Sequence, residues 1–131
     1  MIKPQRLAAY LLFFAALYAC RPAGNTPCRA PEGAWTNPDG FQFVFLPENN
    51  MLWLTQFGTQ YDTVHLRYTL DCGAAPAGLD LSNFDAGPHR GKTLYGIMEW
   101  TSDSSFRFRY EQDARPAVFD SDQTMRFVRR D

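Results

Sequence analysis

From Gly33 onward the 131-residue chain predicts an all-β fold, an eight-stranded antiparallel up-and-down β-barrel that follows an N-terminal leader. Short apolar-polar alternations are separated by turn residues about every ten positions, the spacing of a barrel or sandwich. Aromatic side chains, which favour strands, make up 15% of the chain and fall mostly inside those alternations. No stretch carries a sustained helical period. An antiparallel sheet of eight short-turned strands can also close on itself, which removes the exposed edges of an open sheet.

Each strand has its own signal. Gly33 to Thr36 opens the domain around Trp35, and Asn37-Pro38-Asp39-Gly40 has the residues of a tight turn. Phe41, Phe43 and Phe45 share one face of a strand over Phe41 to Leu46, which Pro47-Glu48-Asn49-Asn50 ends. Met51 to Phe57 is apolar on both faces, so something is expected to cover the second. Thr63 to Leu70 alternates most cleanly, with Val64, Leu66, Tyr68 and Leu70 inward against His65, Arg67 and Thr69. Ala77 to Ser82 and Lys92 to Thr101 follow, the second interrupted by Gly96, where a bulge or barrel corner is expected. Phe106 to Glu111 sets Phe106, Phe108 and Tyr110 against Arg107 and Arg109, and Thr124 to Arg130 completes the eight.

The first twenty residues, MIKPQRLAAYLLFFAALYAC, read as a bacterial lipoprotein signal. Lys3 and Arg6 form a positive region, Leu7 to Ala19 is apolar, and Leu17-Tyr18-Ala19-Cys20 resembles a lipobox. The run is shorter than the roughly 20 apolar residues that span a bilayer. Residues 1–19 are thus expected to be removed, and Cys20 to be lipidated; two or three acyl chains, at about 0.8 kcal/mol per buried methylene, hold a protein on a membrane. Tyr18 is bulkier than the usual lipobox residue. The competing reading is an ordinary secretory signal cut near Ala16 or Ala19, with no role for Cys20.

Export also sets the cysteine chemistry. Setting Cys20 aside leaves Cys28 and Cys72, an even pair in a small exported chain, and a disulfide between them is expected; two buried free thiols are the alternative. Residues 20–32, rich in Pro and small polar residues, read as a flexible tether, and residues 33–131 as the barrel domain. No acidic run follows Cys20, so a periplasm-facing anchor in the cell envelope is expected.

After the leader, 11 basic side chains face 14 acidic ones. That weakly acidic balance argues against nucleic acid as a partner. About 110 residues suffice for one core and not two.

Leu79-Asp80-Leu81, Gly91-Lys92-Thr93-Leu94-Tyr95-Gly96-Ile97, the Phe106 to Tyr110 strand, Arg115-Pro116 and Phe119-Asp120-Ser121 together resemble a lipocalin-like domain of exported bacterial lipoproteins. Gly33 and Trp35 match the Gly and Trp that open that domain. The likeness is sharp from Leu79 to Ser121 and departs at Glu99 to Asp103. It implies a barrel and transfers no catalytic residue, because the family carries no established ones.

Catalytic, metal and cofactor chemistry find little footing. The chain has two histidines, His65 and His89, no Gly-x-Ser-x-Gly elbow and no unpaired reactive cysteine in the domain. Both histidines read as solvated, His89 in a Gly-Pro loop. Two distant histidines do not make a zinc site, and Asp120 to Thr124 reads as a turn, since it lacks the other oxygens and the glycine of a calcium loop. Arg107, Arg109, Arg126, Arg129 and Arg130 read as the outer face of the barrel, or as an anion site if they converge. The chain is therefore expected to be a non-enzymatic binder of a small apolar or amphipathic ligand in the barrel mouth, with Tyr68, Trp100, Phe108 and Arg109 as contacts and no cofactor. The alternative is a protein-binding envelope module, an inhibitor or assembly accessory, using loops such as Ser82 to Gly91.

Overall fold

The computed structural model describes residues 27–130. The expected leader and the expected anchor at Cys20 lie outside them. Eight strands form one closed antiparallel barrel with sequential neighbours: β1 (Gly33–Thr36), β2 (Phe41–Phe45), β3 (Asn50–Phe57), β4 (Gln60–Asp71), β5 (Ala77–Ser82), β6 (Leu94–Ser102), β7 (Ser105–Glu111) and β8 (Met125–Arg129). β8 closes on β1 through Trp35 opposite Arg129 and Thr36 opposite Val128. Asn37 reinforces the seam: its side-chain amide donates to the Arg126 carbonyl at 2.9 Å while its Oδ1 accepts from the Asp39 amide.

The period-2 alternation decides which side chains enter the barrel. Cross-strand pairs carry the inward set around the wall: Trp35 faces Phe43, Phe43 faces Trp53, Met98 faces Phe108, and Phe106 faces Phe127. In the middle, the Phe127 ring stacks on Phe43 at 4.3 Å and on Phe106 at 5.1 Å between centroids. Phe108 meets Phe43 edge-on at 5.9 Å. The centre of the lumen is thus packed with aromatic rings. Burying rings of this size supplies the largest share of a small core's stabilisation.

Gly96 is where the expected bulge fails to appear. Pairing runs regularly through it, from Leu79 on one side to Tyr110 on the other, and the register shift lies between Trp100 and Ser102. A Cβ at Gly96 would collide with the Phe108 ring and the Leu79 carbonyl. The glycine is there to admit a ring, which lies where a side chain would otherwise stand. Gly78 does the same on the outer face, where a Cβ would stand 2.8 Å from Nη1 of Arg115.

Arg115 belongs to the connection between β7 and β8, which folds back over the outside of β5 and β6. Its guanidinium holds Asp80 in a fork, at 2.6 and 2.8 Å, and donates to the Gly96 carbonyl. The Asp80 hydrogen bonds raise the Arg115 pKa above its already high ordinary value, more than burial lowers it. Under this strap Ile97 is buried although it lies outside the barrel wall, and Pro116 of the strap itself is buried too.

Strand direction alternates, so the chain has two distinct ends. The near end gathers residues 27–32, the β2–β3 turn with its 3-10 turn Pro47–Asn49, and the β4–β5 and β6–β7 turns. The far end gathers the β1–β2 and β3–β4 turns, the β5–β6 loop and the start of the strap. At the near end Cys28 and Cys72 are joined in the expected disulfide. It changes the reading of residues 27–32 as free tether. Arg29 lies 4.1 Å over the Trp100 ring and accepts at its carbonyl from the Trp100 indole N–H, while the Trp35 indole donates to the Glu32 carbonyl. Pro31 is fully buried. A segment cross-linked at its start and bonded to two tryptophans is part of the domain.

Candidate functional site

Laying that segment across the near end leaves a cleft of about 410 Å³. Residues 30–32 form one wall, Phe45 to Asn49 the other, and Tyr68 of β4 the back. Each piece has a local cause. Tyr68 points inward by the alternation of β4 and packs edge-on against Phe45 at 5.2 Å. Pro47 forces the chain out of β2, and Arg67, on the outer side of β4, donates to the Glu48 carbonyl at 3.0 Å and fixes the turn. Glu32 is brought over the mouth because its carbonyl is bonded to Trp35.

Tyr68 sets the chemistry of the cleft. It is only 7% exposed, and among the described residues its hydroxyl has no hydrogen-bond partner. Burial, and then the nearby Glu32 carboxylate, push its pKa above the ordinary tyrosine value, so it stays a neutral phenol that can donate or accept. The lining combines apolar surface from Phe45, Leu46 and Pro47 with a few convergent polar groups, the usual character of a small-molecule site.

The four residues expected to contact a ligand do not converge. Tyr68 lines the cleft. Trp100 holds Arg29 and braces the cover. Phe108 is fully buried in the lumen against Gly96. Arg109 lies on the opposite face of β7, its side chain 12% exposed beneath the strap, where it meets Glu111 at 2.7 Å, Asp120 at 3.3 Å and the Val118 carbonyl. Three of the remaining four arginines of the expected outer-face set are likewise occupied: Arg107 pairs with Glu99 and lies 4.0 Å over Phe119, Arg129 lies over Trp35, and Arg130 donates to Gln42. A second depression of about 380 Å³ lies beside Arg107 and Arg126, with Asp120 in its lining. Sequence reasoning missed Glu32 and Phe45 as partners of Tyr68. The available signal was Cys28, since its bond to Cys72 obliges the next four residues to cross the barrel end.

The far end is built differently. His89, expected to be solvated, sits among Trp53, Phe84 and Tyr110 at 5.7, 5.5 and 5.9 Å between ring centroids. Its Nδ1 is buried without a hydrogen-bond partner. Burial, and then Lys92, lower its pKa, so it is held neutral. The reason for the correction is Phe84, which is buried and carries the loop inward with it. His65 is exposed on the outer face as expected.

Among the described residues there is no cluster of three or more His, Cys, Asp or Glu side chains able to hold a metal ion, and no helix long and apolar enough to cross a membrane. Asp120 closes its own turn by accepting from the Asp122 and Gln123 amides. Comparison of the chain with protein-family profiles, curated proteins and solved structures returns no match.

Proposed function

We propose that this chain is a lipid-anchored protein of the bacterial cell envelope that acts by binding, and that it takes a small amphipathic molecule in the near-end cleft. A single observation carries the proposal: a nearly buried tyrosine with an unpartnered hydroxyl at the back of a half-apolar cleft. The aromatic packing of the lumen argues for the barrel end over the interior. The Cys28–Cys72 disulfide supports export to an oxidising compartment, and the closed eight-stranded barrel supports the resemblance to lipocalin-like domains. Seven residues lie between Cys20 and Cys28, so at most about 28 Å of extended chain joins them. Lipidation at Cys20 would therefore keep the cleft close to the bilayer, facing the periplasm.

Native mass spectrometry of the full chain, purified from its own envelope, tests this reading. The expected result is a stoichiometric small molecule that is absent from Tyr68→Trp, whose larger ring fills the cleft. Retention of the molecule by that variant, or its absence from both proteins, would contradict the proposal.

A second reading, a protein-binding module, has its own observation. β4 pairs with β5 only over Arg67 to Asp71, so the β3–β4 hairpin runs past the barrel wall. It carries Phe57 at 62% and Tyr61 at 47% exposure. Exposed aromatics on a projecting hairpin suit a partner protein. The Ser82 to Gly91 loop suits one less, since Phe84 and His89 turn inward. Co-purification of a protein that is lost in Phe57→Ser with Tyr61→Ser would favour this second role.

A further inference from the structure

We propose that the ligand of the near-end cleft is a cationic amphiphile, an ammonium group on a short apolar body. The inference rests on the cleft being the binding site and names the ligand class. The charged lining consists of Glu32 and Glu48, and no Lys, Arg or His is among the residues that form the walls. Arg67 approaches the β2–β3 turn from outside the barrel and is spent on the Glu48 carbonyl and the Asn50 side chain.

An acidic pair on a surface would say little by itself. Here it is joined to Tyr68, a residue more than nine-tenths buried, whose hydroxyl has no partner among the described residues and is reached from the same space. A neutral phenol offers an oxygen lone pair to an N–H donor, and the Glu32 carboxylate offers charge. An ammonium carries three donors and no acceptor, which matches that set. Asn49 lies on the same wall. Phe45, Leu46 and Pro47 meet the apolar body. A carboxylate or phosphate head would meet the like charge of Glu32 instead, on a lining that has Glu48 and no cation, and like-charge juxtaposition disfavours binding.

The test titrates the full chain with hexylammonium, hexanol and hexanoate, three water-soluble probes with one tail and different heads, read by amide and tyrosine ring chemical shifts in NMR. Hexylammonium is expected to bind most tightly and hexanoate least, with shifts concentrated at Glu32, Phe45 and Tyr68. Glu32→Gln is expected to weaken hexylammonium by roughly two- to fivefold, the range for a solvent-accessible ion pair, and to leave hexanol unchanged. Added salt is expected to weaken hexylammonium alone. Equal affinity for the three heads, or a preference for hexanoate, would overturn the cationic class while leaving the cleft as a binding site. Absence of shifts at Tyr68 with all three probes would overturn both.

Discussion

The two ends of this barrel are closed by opposite means. The near end is covered by an extended segment held by one covalent bond, two indole hydrogen bonds and a stacked arginine, and the cover leaves a polar-edged cleft beneath it. The far end is plugged by rings: Trp53, Phe84, His89 and Tyr110 pack together and leave His89 Nδ1 without a partner. A cover made of backbone and cross-links preserves unpartnered polar groups that face a space; a plug made of side chains consumes the space. That contrast, more than the barrel itself, points to where a ligand binds.

The sharpest way to break the contrast is to cut the cross-link. Cys28→Ser with Cys72→Ser is expected to lower stability by about 4 kcal/mol in urea denaturation, from loop-closure entropy alone. Hydrogen exchange should then lose protection in residues 29–32 while the amides around Phe84 stay protected. Equal loss at both ends would show that the ends are not independent. Gly96→Ala strikes the packed centre between them: the new methyl meets the Phe108 ring and the Leu79 carbonyl, and a loss of about 3 kcal/mol is expected. Phe108→Leu in the same chain should restore part of it, a coupling that a double-mutant cycle measures.

Smaller effects sharpen the far end. Arg115→Ala releases the strap from Asp80 and should cost about 1 kcal/mol, because the pair is partly exposed, with faster exchange for the Ile97 and Pro116 region. His89 gives the smallest effect, seen as a pH slope. Its folded pKa lies below the ordinary value, so above about pH 6.5 both folded and unfolded forms are neutral and nothing changes. As pH falls below that, the unfolded chain takes up a proton that the folded one resists, and stability declines until the lowered folded pKa is passed. His89→Leu should flatten that part of the denaturation-midpoint profile without affecting the near-end cleft.

The strands were legible in the sequence because alternation is local. Val64, Leu66, Tyr68 and Leu70 point inward as their spacing requires, and all eight expected strands are present with bounds shifted by three residues or fewer. β4 begins earlier than expected, at Gln60, because a hairpin pairs Phe57 with Gln60 where the chain has only polar and exposed residues to advertise it. The site was much less legible. Residues 28–32 have no periodicity, and their place depends on partners 71 and 74 positions away, the Trp100 indole for Arg29 and the Asp103 carbonyl. His89 was misplaced for the same reason, since nothing beside it in the chain records Trp53 or Tyr110. Gly96 shows a third kind of gap: the glycine was visible, but the ring that requires it comes from the next strand.

The most direct test of the account is the location of a bound amphiphile by intermolecular nuclear Overhauser contacts in the full chain saturated with hexylammonium. Contacts from the hexyl chain to the Phe45 and Tyr68 rings, with none to Phe43 or Phe127, are the expected result. Contacts to Phe127 and Phe43 would place the ligand in the lumen and contradict it.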